Sequence, residues 1–169
     1  MDSDGYLSQL AEIFNGITVN TPSISAIIAI VLAGVLLLAS GFASASEIAF
    51  FSLSPSDRND IDERNHPSDE KISALLGDSE RLLATILITN NFVNVTIIML
   101  CNFFFMNVFI FHSPLAEFLI LTVILTFLLL LFGEIMPKIY SAQKTLAFCR
   151  FSAPGIYYLE KIFRPVATV

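Results

Sequence analysis

Three long stretches that lack basic residues constrain this chain more than any other feature. No charged residue occurs between Ile13 and Ser46 or between Leu82 and Phe111, and two glutamates are the only charges between Pro114 and Met136. About 20 apolar residues form a helix long enough to cross the ~30 Å hydrocarbon core of a bilayer. The chain is 55% hydrophobic with a mean hydropathy of +0.74. These features predict an all-α membrane protein with three transmembrane helices.

Turn and capping residues set the predicted boundaries. We expect an extracytoplasmic tail over 1–21 and a three-span domain over 22–138, with spans at about 22–53, 82–111 and 114–136. Serine next to proline, as at Ser113-Pro114, is typical of a helix start. The polar stretch 54–81 is expected to be a cytoplasmic connector, divided into two short helices at Pro67. Residues 139–169 mix apolar and basic side chains, which predicts an amphipathic juxtamembrane helix in the interface, broken near Pro154.

The distribution of basic residues predicts the orientation in the membrane. All nine Lys and Arg lie in the connector or after residue 137, hence on one side of a bilayer that the chain crosses three times. Lys and Arg concentrate in cytoplasmic segments. We therefore expect an integral membrane protein with its amino end outside and its carboxyl end in the cytoplasm. Cys101 and Cys149 then lie on opposite sides, too far apart for a disulfide.

Polar side chains recur at helical spacing within the spans. Ser40 and Ser44 are four residues apart and share one face of the first span, and Asn90 and Asn94 share one face of the second. Glu47 lies seven residues after Ser40, on nearly the same face. Two separate helices thus each offer a stripe of oxygen atoms.

The end of the third span combines a glutamate with a proline. A charged side chain at membrane depth costs roughly 2.5–3.5 kcal/mol and is a functional-site hypothesis by default, which singles out Glu134. Pro137 has no N–H, so the Gly133 carbonyl loses its helical partner, and Lys138 follows directly. No Cys, Met or His accompanies the oxygen groups of the three spans. This favours a hard cation such as Mg²⁺, Ca²⁺ or Na⁺.

Another interpretation of the polar pattern stays open. Paired Ser and Asn side chains also hold membrane helices together beside small residues. The domain would then be a non-transporting anchor and dimerisation module for a cytoplasmic sensor or motility partner. Glu134 is either an intramembrane ligand or a carboxylate that already reaches headgroup depth at a proline-kinked helix end. Glu47 is either a further ligand or a carboxylate that reaches cytoplasmic water. An enzyme is not expected, because neither serine has a nearby His or Lys as a base, and no nucleic-acid-binding pattern occurs.

Three segments carry a resemblance to a known family. Residues 40–49 (SGFASASEIA), 80–94 (ERLLATILITNNFVN) and 132–138 (FGEIMPK) resemble, in this order, the transmembrane domain of the CorC/cyclin M (CNNM) magnesium transporters. The similarity extends over nearly the whole chain. Bacterial relatives include a gliding-motility-associated branch, membership of which the sequence leaves open, and the resemblance to bacterial relatives implies a protein of the bacterial inner (plasma) membrane.

The resemblance implies both a fold and a function. It implies three transmembrane helices and a juxtamembrane helix per subunit, a homodimer, and cytoplasmic CBS domains beyond residue 169. It also implies Mg²⁺ transport, with export coupled to Na⁺. The implied Mg²⁺ ligands are the side chains of Ser44, Asn90, Asn94 and Glu134 and the carbonyl of Gly133, with Ser40 close by. Glu47 departs from the pattern, because some relatives have an uncharged residue there.

Overall fold

Helices make up nearly all of the part of the chain that the structure, a computed structural model, describes: residues 5, 7, 8, 11 and 17–167. The elements in chain order are β1 (Thr18–Val19), α1 (Ile24–Phe51), α2 (Pro55–Asp62), α3 (Asp69–Leu76), α4 (Ser79–Val108), β2 (Phe109–Ile110), α5 (Pro114–Leu128), a π-helical segment (Leu129–Ile135), α6 (Met136–Gln143) and α7 (Thr145–Ala167). Three stretches are long and apolar enough to cross a membrane: Ile24–Phe51, Ser79–Val108 and Pro114–Gln143. The predicted all-α, three-span fold is confirmed.

Side-chain caps start α1, α2, α4 and α5, whereas Ser68 before α3 makes no capping hydrogen bond. Ser23 accepts a hydrogen bond from the backbone at the start of α1, and Asp78 and Ser113 do the same for α4 and α5. At α2 the cap is reciprocal, because Ser54 and Asp57 each accept a hydrogen bond from the other's backbone N–H. Such bonds satisfy N–H groups that have no partner within the helix.

The third membrane helix continues past Met136, where the sequence predicted its end. It widens into π turns over Leu129–Ile135, and the N–H of Met136 donates to the Leu131 carbonyl five residues back. A proline inside a regular α-helix clashes with the carbonyl four residues earlier. The wider turn directly before Pro137 relieves this clash, so the chain stays helical to Gln143.

α7 is one continuous amphipathic helix that contains Pro154. The predicted break near Pro154 was wrong. The chain turns instead at Lys144, whose φ of −133° and ψ of 52° are not helical. α7 stays helical through Pro154 because its buried face, which includes Cys149 and Ile156 on either side of the proline, packs into a large apolar cluster. Packing of that face outweighs the local preference of the proline.

The two ends of the helical bundle differ in their contacts. At one end, called here the strand end, β1 and β2 pair antiparallel with Thr18 opposite Ile110, which ties the segment before α1 to the end of α4. At the other, the connector end, α2, α3, α6 and α7 surround the ends of the spans. The apolar cluster there contains buried side chains from α1, α3, α4 and α7, among them Phe50, Ile72, Leu82 and Ile156.

A buried ion pair joins α3 to α7 at the connector end. Asp69 is fully buried and accepts two hydrogen bonds from Arg150, of 2.9 and 3.1 Å, and one of 3.0 Å from the His66 N–H. Burial by itself would raise the pKa of Asp69, but these hydrogen bonds and the positive charge of Arg150 outweigh it and lower the pKa. Burial raises the pKa of the neighbouring Cys149 thiol to about 12. This cysteine is therefore an unreactive core residue.

Candidate functional site

The polar stripes of α1 and α4 face each other. The Ser40 hydroxyl lies 2.7 Å from Asn90 Oδ1 and 2.7 Å from Asn94 Oδ1. A hydroxyl has one hydrogen and can donate to only one acceptor at a time. Because both asparagines turn their Oδ1 atoms toward Ser40, the two Oδ1 atoms and the serine Oγ share a single hydrogen. Ser40, Asn90 and Asn94 therefore form a site rich in acceptors, here called the inner cluster together with Gly133.

Gly133 brings the π-helical segment against the same serine. A methyl group at Gly133 would lie 3.3 Å from Ser40 Oγ and 3.6 Å from Leu37 Cδ1. One residue along α1, a methyl at Gly41 would lie 3.0 Å from the Pro137 ring and 3.3 Å from the Phe132 carbonyl. Only residues without a side chain allow this approach. Three membrane helices thus meet at the inner cluster.

Two further predicted residues have oxygen groups without a protein partner. Ser44 is fully buried one turn along α1 from Ser40, and its hydroxyl has no hydrogen-bond partner in the described part of the chain. A buried polar group left unpaired costs about 1–3 kcal/mol. Glu134 follows Gly133 and is half-buried, and among the described residues its carboxylate makes neither an ion pair nor a hydrogen bond.

Thr85 is a buried polar residue that the sequence analysis missed. It is fully buried on α4, and its hydroxyl is unpaired within the described residues. The hydroxyl of Thr89, one turn further on, donates to the Thr85 carbonyl at 2.8 Å. The signal was present in the sequence, since Thr85 and Thr89 repeat the four-residue spacing of the asparagines that follow. The polar face of α4 therefore continues from the inner cluster toward the connector end.

Glu47 lies in a different environment. Its carboxylate is 3.1 Å from the Lys138 ammonium, and this ion pair links α1 to α6 with the two side chains 25% and 33% exposed. A cation bound at Glu47 would have to compete with the ammonium. The structure thus separates Glu47 from the unpaired carboxylate of Glu134.

The donor chemistry of the site is that of oxygen. Within the described residues no three His, Cys, Asp or Glu side chains lie close enough to hold a metal ion. A site here would use hydroxyl, amide and carbonyl oxygens with at most one carboxylate. Such a set suits hard cations, which take oxygen ligands and retain some water.

Three apolar helices that meet at a buried polar cluster define an integral membrane domain. The sequence profile of the Cyclin M transmembrane N-terminal domain (CNNM) matches residues 24–169, and the chain belongs to this family. The resemblance found in the sequence is thereby confirmed. A UPF0053 protein of Haemophilus influenzae is 32% identical over 130 residues, which are 77% of this chain and 30% of that protein. The chain thus spans less than a third of that relative's length.

Proposed function

We propose that this domain transports Mg²⁺ through a site formed by α1, α4 and the π-helical segment. The observation that carries the proposal is the convergence of three helices on Ser40, next to a buried Ser44 hydroxyl that has no partner among the described residues. A bound cation would accept lone pairs from these oxygens and remove the cost of leaving Ser44 unpaired. The proposed ligands are the side chains of Ser44, Asn90, Asn94 and Glu134 and the Gly133 carbonyl, with Ser40 close by.

The charge of the site supports a transported cation rather than a permanently held one. Glu134 is the single carboxylate of the proposed set, so a divalent ion keeps a net positive charge there. Mg²⁺ demands near-octahedral oxygen geometry at about 2.0–2.1 Å and gives up water reluctantly. A site of mostly neutral oxygens can bind such an ion and still release it.

We propose export as the direction of transport, as the family resemblance implies. We place the connector end in the cytoplasm, because all nine basic residues lie there. Export of a cation against an inside-negative potential costs about 2.3 kcal/mol per charge per 100 mV. A divalent ion therefore needs an energy source, and we propose Na⁺ as the coupling ion. The homodimer and the attached CBS domains belong to the same proposal.

A membrane anchor is the second candidate function. The hydrogen bonds from Ser40 to Asn90 and Asn94 favour this hypothesis. They satisfy the serine hydroxyl and join α1 to α4, as polar side chains do where membrane helices pack together. The anchor hypothesis gives no reason why the oxygens of Ser44 and Glu134 lack partners among the residues that the structure describes. The two hypotheses therefore differ in what Mg²⁺ does to the protein.

Thermal unfolding of the purified protein in detergent, with and without millimolar Mg²⁺, tests the proposal. A ligand that binds only the folded state stabilises it by about 2.7 kcal/mol at 100 times its Kd. We expect Mg²⁺ to raise the melting temperature, and Ser44→Ala and Glu134→Gln to reduce this rise. Asn91→Ala is the matched control, because Asn91 is exposed on another face of α4.

Flux measurements complete the test. In liposomes, Glu134→Gln should abolish Mg²⁺ transport whereas Asn91→Ala retains it. If Mg²⁺ stabilises neither the parent protein nor the control and the parent protein transports no Mg²⁺, the anchor hypothesis is favoured. If Glu134→Gln transports normally, the proposed site is wrong, because the one carboxylate of the proposed ligand set is then dispensable.

A further inference from the structure

An open, mostly apolar groove with several polar side chains lies between α4 and α5, toward the strand end. This outer groove has a volume of about 420 Å³ and four polar side chains among its lining residues: Asn102, Glu117, Thr122 and Thr126. The remaining lining is apolar and includes Ile98 and Leu129. The groove shares no lining residue with the inner cluster.

The outer groove lies in line with the inner cluster. Along α4, Asn94, Ile98 and Asn102 follow at intervals of four residues and share one face. On the other side, Leu129 lies four residues before Gly133. The inner end of the groove is thus about one helical turn, roughly 5.4 Å along each helix, from the cluster. Ile98 and Leu129 are the apolar lining residues nearest to the cluster along these two helices.

The polar lining of the groove is not satisfied by the protein. Among the described residues, Asn102, Thr122 and Thr126 are exposed and their side chains make no hydrogen bond, and the half-buried Glu117 carboxylate makes no ion pair. These residues belong to stretches that cross the membrane. Polar groups that faced lipid there would have no partners, so such groups line water-filled cavities or bind one another. The groove is wide enough for water.

We propose that the outer groove is the outward-facing half of the cation pathway, in which Glu117 receives a hydrated hard cation. This inference rests on the proposed function. Glu117 supplies one negative charge near the outer end of the groove, and the amide and hydroxyl oxygens contact the hydration shell. Ile98 and Leu129 close the connection to the inner cluster in this conformation. Both Mg²⁺ that leaves the protein and a coupling Na⁺ that enters it are hydrated hard cations, so the groove suits either ion.

Cysteine labelling in proteoliposomes tests whether water and cations reach the groove. Thr122→Cys is treated from outside with a positively charged thiosulfonate reagent that does not cross membranes. Val123→Cys is the matched control, since residue 123 is the next on the same helix, is 64% exposed and lies outside the groove. The native Cys101 and Cys149 are buried, and the parent protein gives their background.

We expect Thr122→Cys to react about tenfold faster than Val123→Cys, because only a hydrated thiol ionises and reacts readily. Millimolar Mg²⁺ or Na⁺ should slow the reaction at Thr122→Cys, and the ion that protects identifies the occupant. In a protein that also carries Glu117→Gln this protection should be lost. Equal rates at the two positions would overturn the proposal, whether lipid or a second copy of the chain covers the groove.

The labelling experiment on the outer groove can fail or succeed independently of the flux experiment on the inner cluster. Labelling from outside needs no transport, so Glu134→Gln should leave the rate at Thr122→Cys unchanged. If Mg²⁺ transport by the parent protein is normal but Thr122→Cys is unreactive, the outer groove is refuted and the inner site stands. If Thr122→Cys reacts rapidly and no ion slows the reaction, the groove holds water but no cation, which also refutes the proposal.

Discussion

The membrane layer and the connector end are held together by different means. Around Ser40 the helices approach through small residues, with Gly41 and Gly133 at the closest contacts, and the buried hydroxyls of Ser44 and Thr85 have no partner in the part of the chain that the structure describes. At the connector end, large apolar side chains such as Phe50 fill the core, and the buried Asp69 carboxylate is fully paired with Arg150. Lipid gives helices no hydrophobic reason to associate, whereas water does. The connector end therefore provides stability, and the membrane layer keeps polar groups available for ligands.

The largest expected loss of stability comes from replacing Arg150, and it tests whether the connector end stabilises the protein. Arg150→Met leaves the fully buried Asp69 carboxylate without its ion-pair partner and with only the hydrogen bond from the His66 N–H, which should destabilise the protein by about 3–5 kcal/mol. Lys161→Met is the control, because Lys161 is exposed on the same helix and its loss should cost under about 0.5 kcal/mol. Thermal unfolding in detergent measures both. Equal stability of the two variants would show that the ion pair does not hold the connector end together.

Close packing in the membrane layer predicts the next largest effect. The Gly41→Ala methyl would lie 3.0 Å from the Pro137 ring, so we expect a loss of about 1–3 kcal/mol through overpacking. Gly34→Ala is the matched control on the same helix, since nothing lies within 4 Å of its added methyl. It should be neutral or stabilise the helix by up to about 1 kcal/mol. If both variants have the same melting temperature, close approach at Gly41 does not hold the membrane layer together.

Acid should lower the stability of the folded protein through the connector end, where Asp69 lies. The pKa of Asp69 in the folded protein lies below its ordinary value of 3.8. A carboxyl group with a lowered pKa stabilises the folded state above the unfolded pKa, and this contribution is lost as the pH falls through the folded pKa. We expect the melting temperature to fall below about pH 4, and Asp69→Asn to remove much of that dependence. An unchanged pH profile in Asp69→Asn would assign the acid sensitivity to other carboxylates.

Local chemistry explains what the sequence predicted well. Capping residues such as Ser23 and Ser113 start helices through contacts three residues away, and Pro67 separates α2 from α3 as expected. The four-residue spacing of Asn90 and Asn94 places both on one helix face, whatever that helix packs against. Their meeting with Ser40 required only that the two most polar helix faces avoid lipid.

Contacts between distant residues explain what the sequence did not predict. The pairing of β1 with β2 and the Asp69–Arg150 ion pair join segments far apart in the chain, so no local pattern indicates them. The π turns before Pro137 avoid the clash of the proline ring with the preceding helical turn. A kink or a helix end would have avoided the same clash. The continuity of α7 through Pro154 depends on the core that its buried face enters. In each case tertiary packing selected among locally acceptable structures.

The smallest expected effect lies at the border between the two regions, where Glu47 pairs with Lys138. Because both side chains are partly exposed, a double-mutant cycle with Glu47→Gln and Lys138→Met should give a coupling energy of about 0.2–1 kcal/mol in thermal unfolding. The effect on Mg²⁺ affinity distinguishes the two roles that the sequence left open for Glu47. If Glu47 only neutralises Lys138, Glu47→Gln leaves an unpaired ammonium four residues from Glu134 and weakens binding, and adding Lys138→Met restores it. If Glu47 is a ligand, the double variant binds as poorly as Glu47→Gln alone, and the membrane site extends to the border with the connector end.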